Sequence, residues 1–261
     1  MIIDALTHVH PDPKAYGPAH DLSLEFLMRQ LEESAVDKAI VTAIEADSPY
    51  ATSTEYVAEC RDQFPDRIIG FCSVDPLRDP EAVAKLEHYV LDLGMKGLKL
   101  HPRHQRLRVD DPKVTEVVEK AAELNIPVTV CGSQWKHAPL EDQLPIHIDT
   151  LCKRVPEAHV IIAHAGGFRF MDAFMVAVAN DNVSLETSIA LRYFEGTPFE
   201  DQLLFAFKQL GAKRLIYGSD HPEDPIGACY HRSRSILERH GFSETDCALI
   251  FGENILSLLP E

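Results

Sequence analysis

The sequence predicts an α/β protein: a single (β/α)8 barrel of the TIM type, with residues 1–261 forming one domain. Three observations predict it. Eight short apolar runs rich in β-branched residues recur along the chain. The segments between them carry helical periodicity. The length of 261 residues is close to the roughly 250 typical of a one-domain barrel.

The strands are expected at Met1 to Thr7, Lys38 to Ile44, Arg67 to Val74 and Lys96 to Leu100. They continue at Pro127 to Cys131, His159 to Ala163, Val183 to Thr187 and Arg214 to Tyr217. Each is short and nearly all apolar, as strands covered on both faces must be. Helices fill the intervals. Leu24, Leu27, Met28 and Leu31 follow the i, i+3, i+4, i+7 pattern, with Ser23 placed to cap them. A helix from Glu81 to Leu93 aligns Val83, Leu86, Val90 and Leu93 and ends at Gly94. Val114, Val117, Val118 and Ala121 repeat the pattern after Asp110-Asp111-Pro112, a helix start. Ile148, Leu151, Cys152 and Val155 repeat it again, as do Phe170, Ala173, Phe174 and Ala177.

Strands that alternate with helices form a parallel sheet. An open, doubly wound sheet is the competing architecture. No G-x-G-x-x-G follows the first strand, which counts against its dinucleotide-binding version.

Composition narrows the function classes. The 25 Lys and Arg against 41 Asp and Glu give a net charge of −16, which disfavours nucleic acid and anionic membrane as partners. Apolar content of 45% is ample for a large core. The six cysteines include no CxxC pair and sit mostly in apolar runs, so no disulfide framework is expected. Met1 leads straight into Ile2-Ile3-Asp4 without a basic leader, and no apolar run approaches 18 residues. A soluble, reduced, cytoplasmic setting is the expectation. A small-molecule substrate is the expected partner. No helix face offers a patch assignable to another protein, and a homo-oligomer is left open.

In a parallel barrel the catalytic groups sit where strands end and the following loops begin. The first strand ends Thr7-His8-Val9-His10, the fourth Lys99-Leu100-His101-Pro102 and the fifth Val130-Cys131-Gly132. The sixth ends Ala163-His164-Ala165-Gly166-Gly167, the seventh offers Glu186 and Ser188, and the eighth ends Gly218-Ser219-Asp220-His221-Pro222. Of 13 histidines, five lie at or just past these ends. On a strand, His8 and His10 would point to one side. Imidazoles suit zinc and related ions, and a catalytic site needs about three protein ligands plus an open water position. Asp220 arrives beside the first strand on closure and can ligate the ion or take a proton from its water. His164 is placed to hold a substrate oxygen or shuttle a proton.

Lone His-x-His pairs also arise by accident on surfaces. Lys99 equally fits a snorkelling barrel lysine, and Gly166-Gly167 a tight turn. His104, His137, His147 and His240 read as ordinary surface residues.

Taken in strand order, these motifs resemble the amidohydrolase superfamily, in its amidohydrolase 2 branch of TIM-barrel hydrolases and decarboxylases. The resemblance covers nearly the whole chain. It runs from Ile3-Asp4-Ala5-Leu6-Thr7-His8-Val9-His10 through Gly70-Phe71-Cys72-Ser73-Val74-Asp75-Pro76 and Gly97-Leu98-Lys99-Leu100-His101-Pro102. Asn125-Ile126-Pro127-Val128 leads the fifth strand as in that branch. Ile161-Ile162-Ala163-His164-Ala165-Gly166-Gly167 and Tyr217-Gly218-Ser219-Asp220-His221-Pro222 are its most specific parts, and Ile250-Phe251-Gly252-Glu253-Asn254-Ile255 matches its closing helix. The resemblance implies one divalent metal, with zinc the expected ion. It implies His8 and His10 as ligands, His164 as the sixth-strand histidine and Asp220 as the eighth-strand aspartate. The chain departs at the end of strand five, where the family's common histidine ligand is replaced by Cys131. A thiolate is a good zinc ligand, so the expected set is His8, His10, Cys131 and Asp220.

The expected reaction is hydrolysis of a small, anionic lactone, ester or amide by metal-activated water. Asp220 and His164 are its catalytic residues, and Lys99, His101 and Arg192 its substrate-binding residues. Arg103 and Arg106 lie near enough to strand ends to assist with a carboxylate. The loop from Gly132 to Pro145, with Trp135, is a candidate lid. The alternatives are a metal-dependent decarboxylase of a small aromatic or unsaturated acid, and a metal-independent lactonase of the same fold. A Schiff-base lyase using Lys99 and a non-catalytic binding barrel are further rivals.

Overall fold

A computed structural model describes residues 1–134 and 138–260. Among them eight parallel strands follow in chain order: β1 Ile3–Thr7, β2 Lys38–Thr42, β3 Ile68–Phe71, β4 Leu98–Leu100, β5 Val128–Val130, β6 Val160–Ile162, β7 Val183–Glu186 and β8 Leu215–Ile216. Regular pairing runs β1-β2-β3 and β4-β5-β6-β7-β8. Two seams join these ladders into a ring. The Cys72 amide donates to the Gly97 carbonyl at 2.8 Å and the Lys99 amide to the Cys72 carbonyl at 2.7 Å. On the other side the Ala5 amide donates to Tyr217 at 3.0 Å and the Asp220 amide to Leu6 at 2.9 Å. The sheet is therefore a closed barrel, and the second seam sets Asp220 against the end of β1.

The helices are α1 Leu24–Glu32, α2 Thr54–Gln63, α3 Ala82–Leu91, α4 Pro102–Gln105, α5 Pro112–Glu123, α6 Ile146–Arg154 and α7 Phe170–Ala179. They continue as α8 Ala190–Phe194, α9 Pro198–Leu210, α10 Ile226–Arg239, α11 Glu244–Ala248 and α12 Asn254–Leu258. Ser23 caps α1, its Oγ accepting from the Phe26 amide at 3.2 Å, and Asp111 caps α5. The buried stripe of α3 is Ala82, Leu86 and Tyr89, with Val83 and Val90 half-buried at its edge. The expected stripe was rotated because Tyr89, not Val90, turns inward.

Two apolar cores result. The larger fills the layer between strands and helices. The smaller contains Ile3, Ala5, Ile40, Phe71, Ile161 and Ile216, with Ile255 of α12 packed on it; it fills the barrel's lower interior. The Phe71 ring lies over Gly97 so closely that a β-carbon there would sit 2.4 Å from it, so the position tolerates no side chain. Apolar residues thus plug one end of the barrel, and the polar groups gather at the other. All six cysteines are free and buried. Among the described residues no helix is long and apolar enough to cross a membrane. Trp135, the centre of the candidate lid, and His137 lie outside the described residues.

Candidate active site

At the C-terminal ends of the strands lies a cavity of about 450 Å³ lined by His8, Lys99, His101, His164, Arg192 and Asp220, among others. That volume suits a small molecule. Each of these residues reaches it by a local device. Lys99 is in β4 and almost fully buried, its side chain rising inside the barrel. His101 follows immediately as the residue before α4. His164 and Asp220 adopt left-handed backbone, φ 58° and 59°. Such conformations are costly for residues with a β-carbon and cluster at functional sites.

His164 is held from behind. Its amide donates to Glu186 Oε2 at 3.0 Å. Ser188 Oγ donates to the same Oε2 at 2.8 Å, so it accepts from His164 Nδ1–H at 2.9 Å. The assignment follows from the network and leaves Nε2 facing the cavity. His8 is oriented similarly: Nδ1 meets Thr42 Oγ1 at 3.1 Å and Nε2 approaches Asp220 Oδ1 at 3.3 Å.

The charges interlock. Burial alone would raise the Asp220 carboxyl, but His164, His8 and Lys99 outweigh it and hold it well below its ordinary value. Burial alone would lower His164, but Asp220 and Cys131 raise it above the ordinary imidazole value. Burial lowers the Lys99 ammonium, opposed by Cys131, Asp220 and Glu186. Burial also works against the Cys131 thiolate, yet hydrogen bonds and charge from His101 and His164 hold the thiol well below its usual range. Cys131 is not itself a cavity-lining residue; it sits beside two that are, with Ser133 Oγ at 3.3 Å.

His10 does not join them. The Asp12 amide donates to its Nδ1 at 2.9 Å, and its Nε2 faces the Ala51 carbonyl at 2.9 Å, so that nitrogen carries a proton. No lone pair remains for a metal. The expectation that His8 and His10 share a side fails because β1 ends at Thr7. Beyond it the chain leaves the pleat, and the two-residue alternation no longer applies.

Other placements were not anticipated. His104, read as a surface residue, lines the cavity with Tyr16, Tyr50 and Gln134. Arg103 lines it as well, its Nε buried without a hydrogen-bond partner; Arg106 does not line it. Arg192 borders the cavity but also bonds the Glu223 carbonyl, with Asp224 at 3.9 Å. In sequence Glu186 is a strand-end polar residue; its position two residues before Ser188, with which it backs His164, is the signal of its role.

The expected metal set, His8, His10, Cys131 and Asp220, is therefore not assembled. Among the described residues no group of three or more His, Cys, Asp or Glu side chains is arranged to hold an ion. The donor types suit zinc or manganese, but their arrangement does not fit one.

Solved structures share this architecture. An uncharacterised TIM-barrel protein from Bordetella bronchiseptica is 19% identical, with 98% of each chain covered and a TM-score of 0.80. A probable 2-pyrone-4,6-dicarboxylic acid hydrolase from Acinetobacter baumannii, solved with citric acid, is 18% identical over 98% of each chain, TM-score 0.70. A dihydroxybenzoic acid decarboxylase from Polaromonas sp. JS666, solved with manganese and 2-nitroresorcinol, is 18% identical, covering 98% of this chain and 96% of that one, TM-score 0.73. At these identities the likeness shows the fold. No curated protein sequence matches the chain. The family model for amidohydrolases matches residues 3–260, so the chain belongs to the amidohydrolase family, whose relatives of this fold include both hydrolases and decarboxylases.

Proposed function

We propose that this chain hydrolyses a small, anionic lactone, ester or amide, using its own side chains to activate water. One observation carries the reading. A buried carboxylate, Asp220, and a buried imidazole, His164, share one cavity with a buried cation, Lys99, that has no ion-pair partner among the described residues. Cys131, Asp220 and Glu186 offset part of the burial cost of this ammonium from a distance, and a ligand carboxylate would supply the direct pairing that none of them makes. Arg103 and Arg192 add positive charge to the same wall.

In this reading the substrate carboxylate binds at Lys99, with His101 and the arginines beside it. Asp220 accepts the proton of an attacking water. His164 Nε2–H donates to the carbonyl oxygen as it gains charge, and the Ser188–Glu186 pair behind it stabilises the cationic ring. Three products balance the step: the water's proton on Asp220, its hydroxyl on the acyl carbon, and a leaving alkoxide or amine protonated from His164. The Acinetobacter protein of this fold, a probable 2-pyrone-4,6-dicarboxylic acid hydrolase, is an instance of that substrate class.

The test is a panel of carboxylated lactones, esters and amides assayed in ¹⁸O-labelled water. Label should enter the acid product, with no carbon dioxide released. Asp220→Asn should lower kcat by roughly 10³-fold with an unchanged circular dichroism spectrum. Undiminished turnover in that variant, or carbon dioxide release without label uptake, would overturn the proposal.

A further inference from the structure

The surface formed by α7, α8 and α9 is unlike the rest of the molecule. α7 reads Phe-Met-Asp-Ala-Phe-Met-Val-Ala-Val-Ala, with Asp172 its one charged residue. One face, through Phe170, Ala173, Val176 and Ala177, packs on the barrel. The opposite face carries Met171, Met175 and Val178 at i, i+4 and i+7, and solvent reaches 58% of Met175 and 52% of Val178. A helix apolar on both sides is the pattern of one covered on both sides.

The patch extends beyond α7. The neighbouring helix α9 presents Phe199 and Phe205, the latter 57% exposed. Phe168, just before α7, is 62% exposed and stands edge-on to Tyr193 of α8 at 5.3 Å. Side chains of roughly 200 Å² each, about half exposed, give this face on the order of 700 Å² of apolar surface. That exceeds the largest patch on a typical monomer, ~300–600 Å², and is close to the ~800 Å² each partner contributes to a standard interface.

We propose that this face is the interface of a homodimer, closed by a second copy packing α7 and α9 against their own counterparts. The area matches what a stable dimer needs. A self-complementary contact demands a patch usable by both copies at once, and the Met171, Met175 and Val178 stripe of α7 meets that demand without like-charge repulsion, while on α9 the exposed Asp201 and Lys208 beside Phe205 are of opposite sign and can pair across a two-fold axis. On α7 the charges at the edge, Arg169 and Asp172, are already paired with each other. A lipid surface is a poorer match, because an interfacial helix carries Lys and Arg beside its apolar stripe and the chain's net charge is −16. Phe168 and Tyr193 also line the cavity, so the dimer contact would begin at its mouth.

Sedimentation velocity of the full chain tests this. At 10 μM the wild type should sediment with twice the mass of one chain. The double variant Met175→Glu, Phe205→Glu should sediment as a monomer, with circular dichroism and any measured turnover retained. Both positions are exposed and outside the cavity, so the fold should survive the change. A monomeric wild type at 100 μM would overturn the proposal, as would a dimer that persists in the variant. A monomeric wild type that co-sediments with phosphatidylcholine vesicles would overturn it in favour of a lipid surface.

Discussion

His8 and His10 are two residues apart in sequence, yet only one of them faces the cavity. His8 Nε2 stands 3.3 Å from Asp220, whereas His10 fastens the loop after β1 to the Ala51 carbonyl. The difference predicts opposite outcomes. His8→Asn removes a group that holds the Asp220 carboxylate ionised and should lower kcat on the order of tenfold or more. His10→Asn should leave kcat within about threefold and lower stability by roughly 1–2 kcal/mol through the lost backbone contacts. Extraction with EDTA should likewise leave turnover intact. Activity lost on chelation and restored by manganese or zinc, with His10→Asn inactive, would show that the site rearranges around an ion. Lys99 offers a separate check. Lys99→Met should raise KM for a carboxylated substrate about 10- to 100-fold, since a charge-assisted contact is worth ~1.5–3 kcal/mol; an unchanged KM would remove Lys99 from the binding wall. The sequence disclosed which residue types collect at the rim. It did not disclose the rotation of His10, because that depends on where the chain leaves the sheet.

At the level of elements, the strands were easier to read than their ends. Buried parallel strands must be apolar on both faces, so Ala39 to Val41 or Val160 to Ile162 stand out by composition. The expected strands ran one to four residues too long, overrunning at either end, since apolar character continues past the residues that pair. α2 was missed because its buried Val57, Ala58 and Cys60 are diluted by charged neighbours, and short α4 and α8 carry too few turns to show a period. The tail shows how an element far from the site fixes the barrel. Asn254 at the start of α12 donates to the Ala212 and Leu215 carbonyls, both at 2.7 Å. Where the tail turns, a β-carbon on Gly252 would lie 2.2 Å from the Met1 carbonyl oxygen. Asn254→Ala would strand two buried acceptors and should cost about 2–3 kcal/mol in urea unfolding. A loss below about 0.5 kcal/mol would mean that water replaces the amide and that the tail is not an anchor.

Across the whole molecule, one buried carboxyl outside the cavity links charge to stability. Asp4 in β1 is fully buried at the seam where the barrel closes, accepting from the Ser219 amide at 2.8 Å and the Leu6 amide at 3.3 Å through Oδ1. Its Oδ2 is buried without a partner. Burial raises its pKa from 3.8 to about 7; hydrogen bonds from Ser219 and Leu6 lower it, and nearby Glu186 adds to the rise. The sign follows by linkage. Between pH 4 and 7 the folded chain keeps this proton and the unfolded chain has released it, so stability falls as pH rises through that window and levels off above it. Asp4→Asn keeps an oxygen for the Ser219 amide but carries no proton to lose. Unfolding in urea at pH 5 and pH 8 should therefore show the wild type weakening relative to the variant by about 2 kcal/mol across the interval. The variant comparison cancels the other groups that titrate in the same range. If the two proteins lose stability in parallel, Asp4 is ionised in the folded barrel at pH 5 as well, and water must reach the seam between β1 and β8.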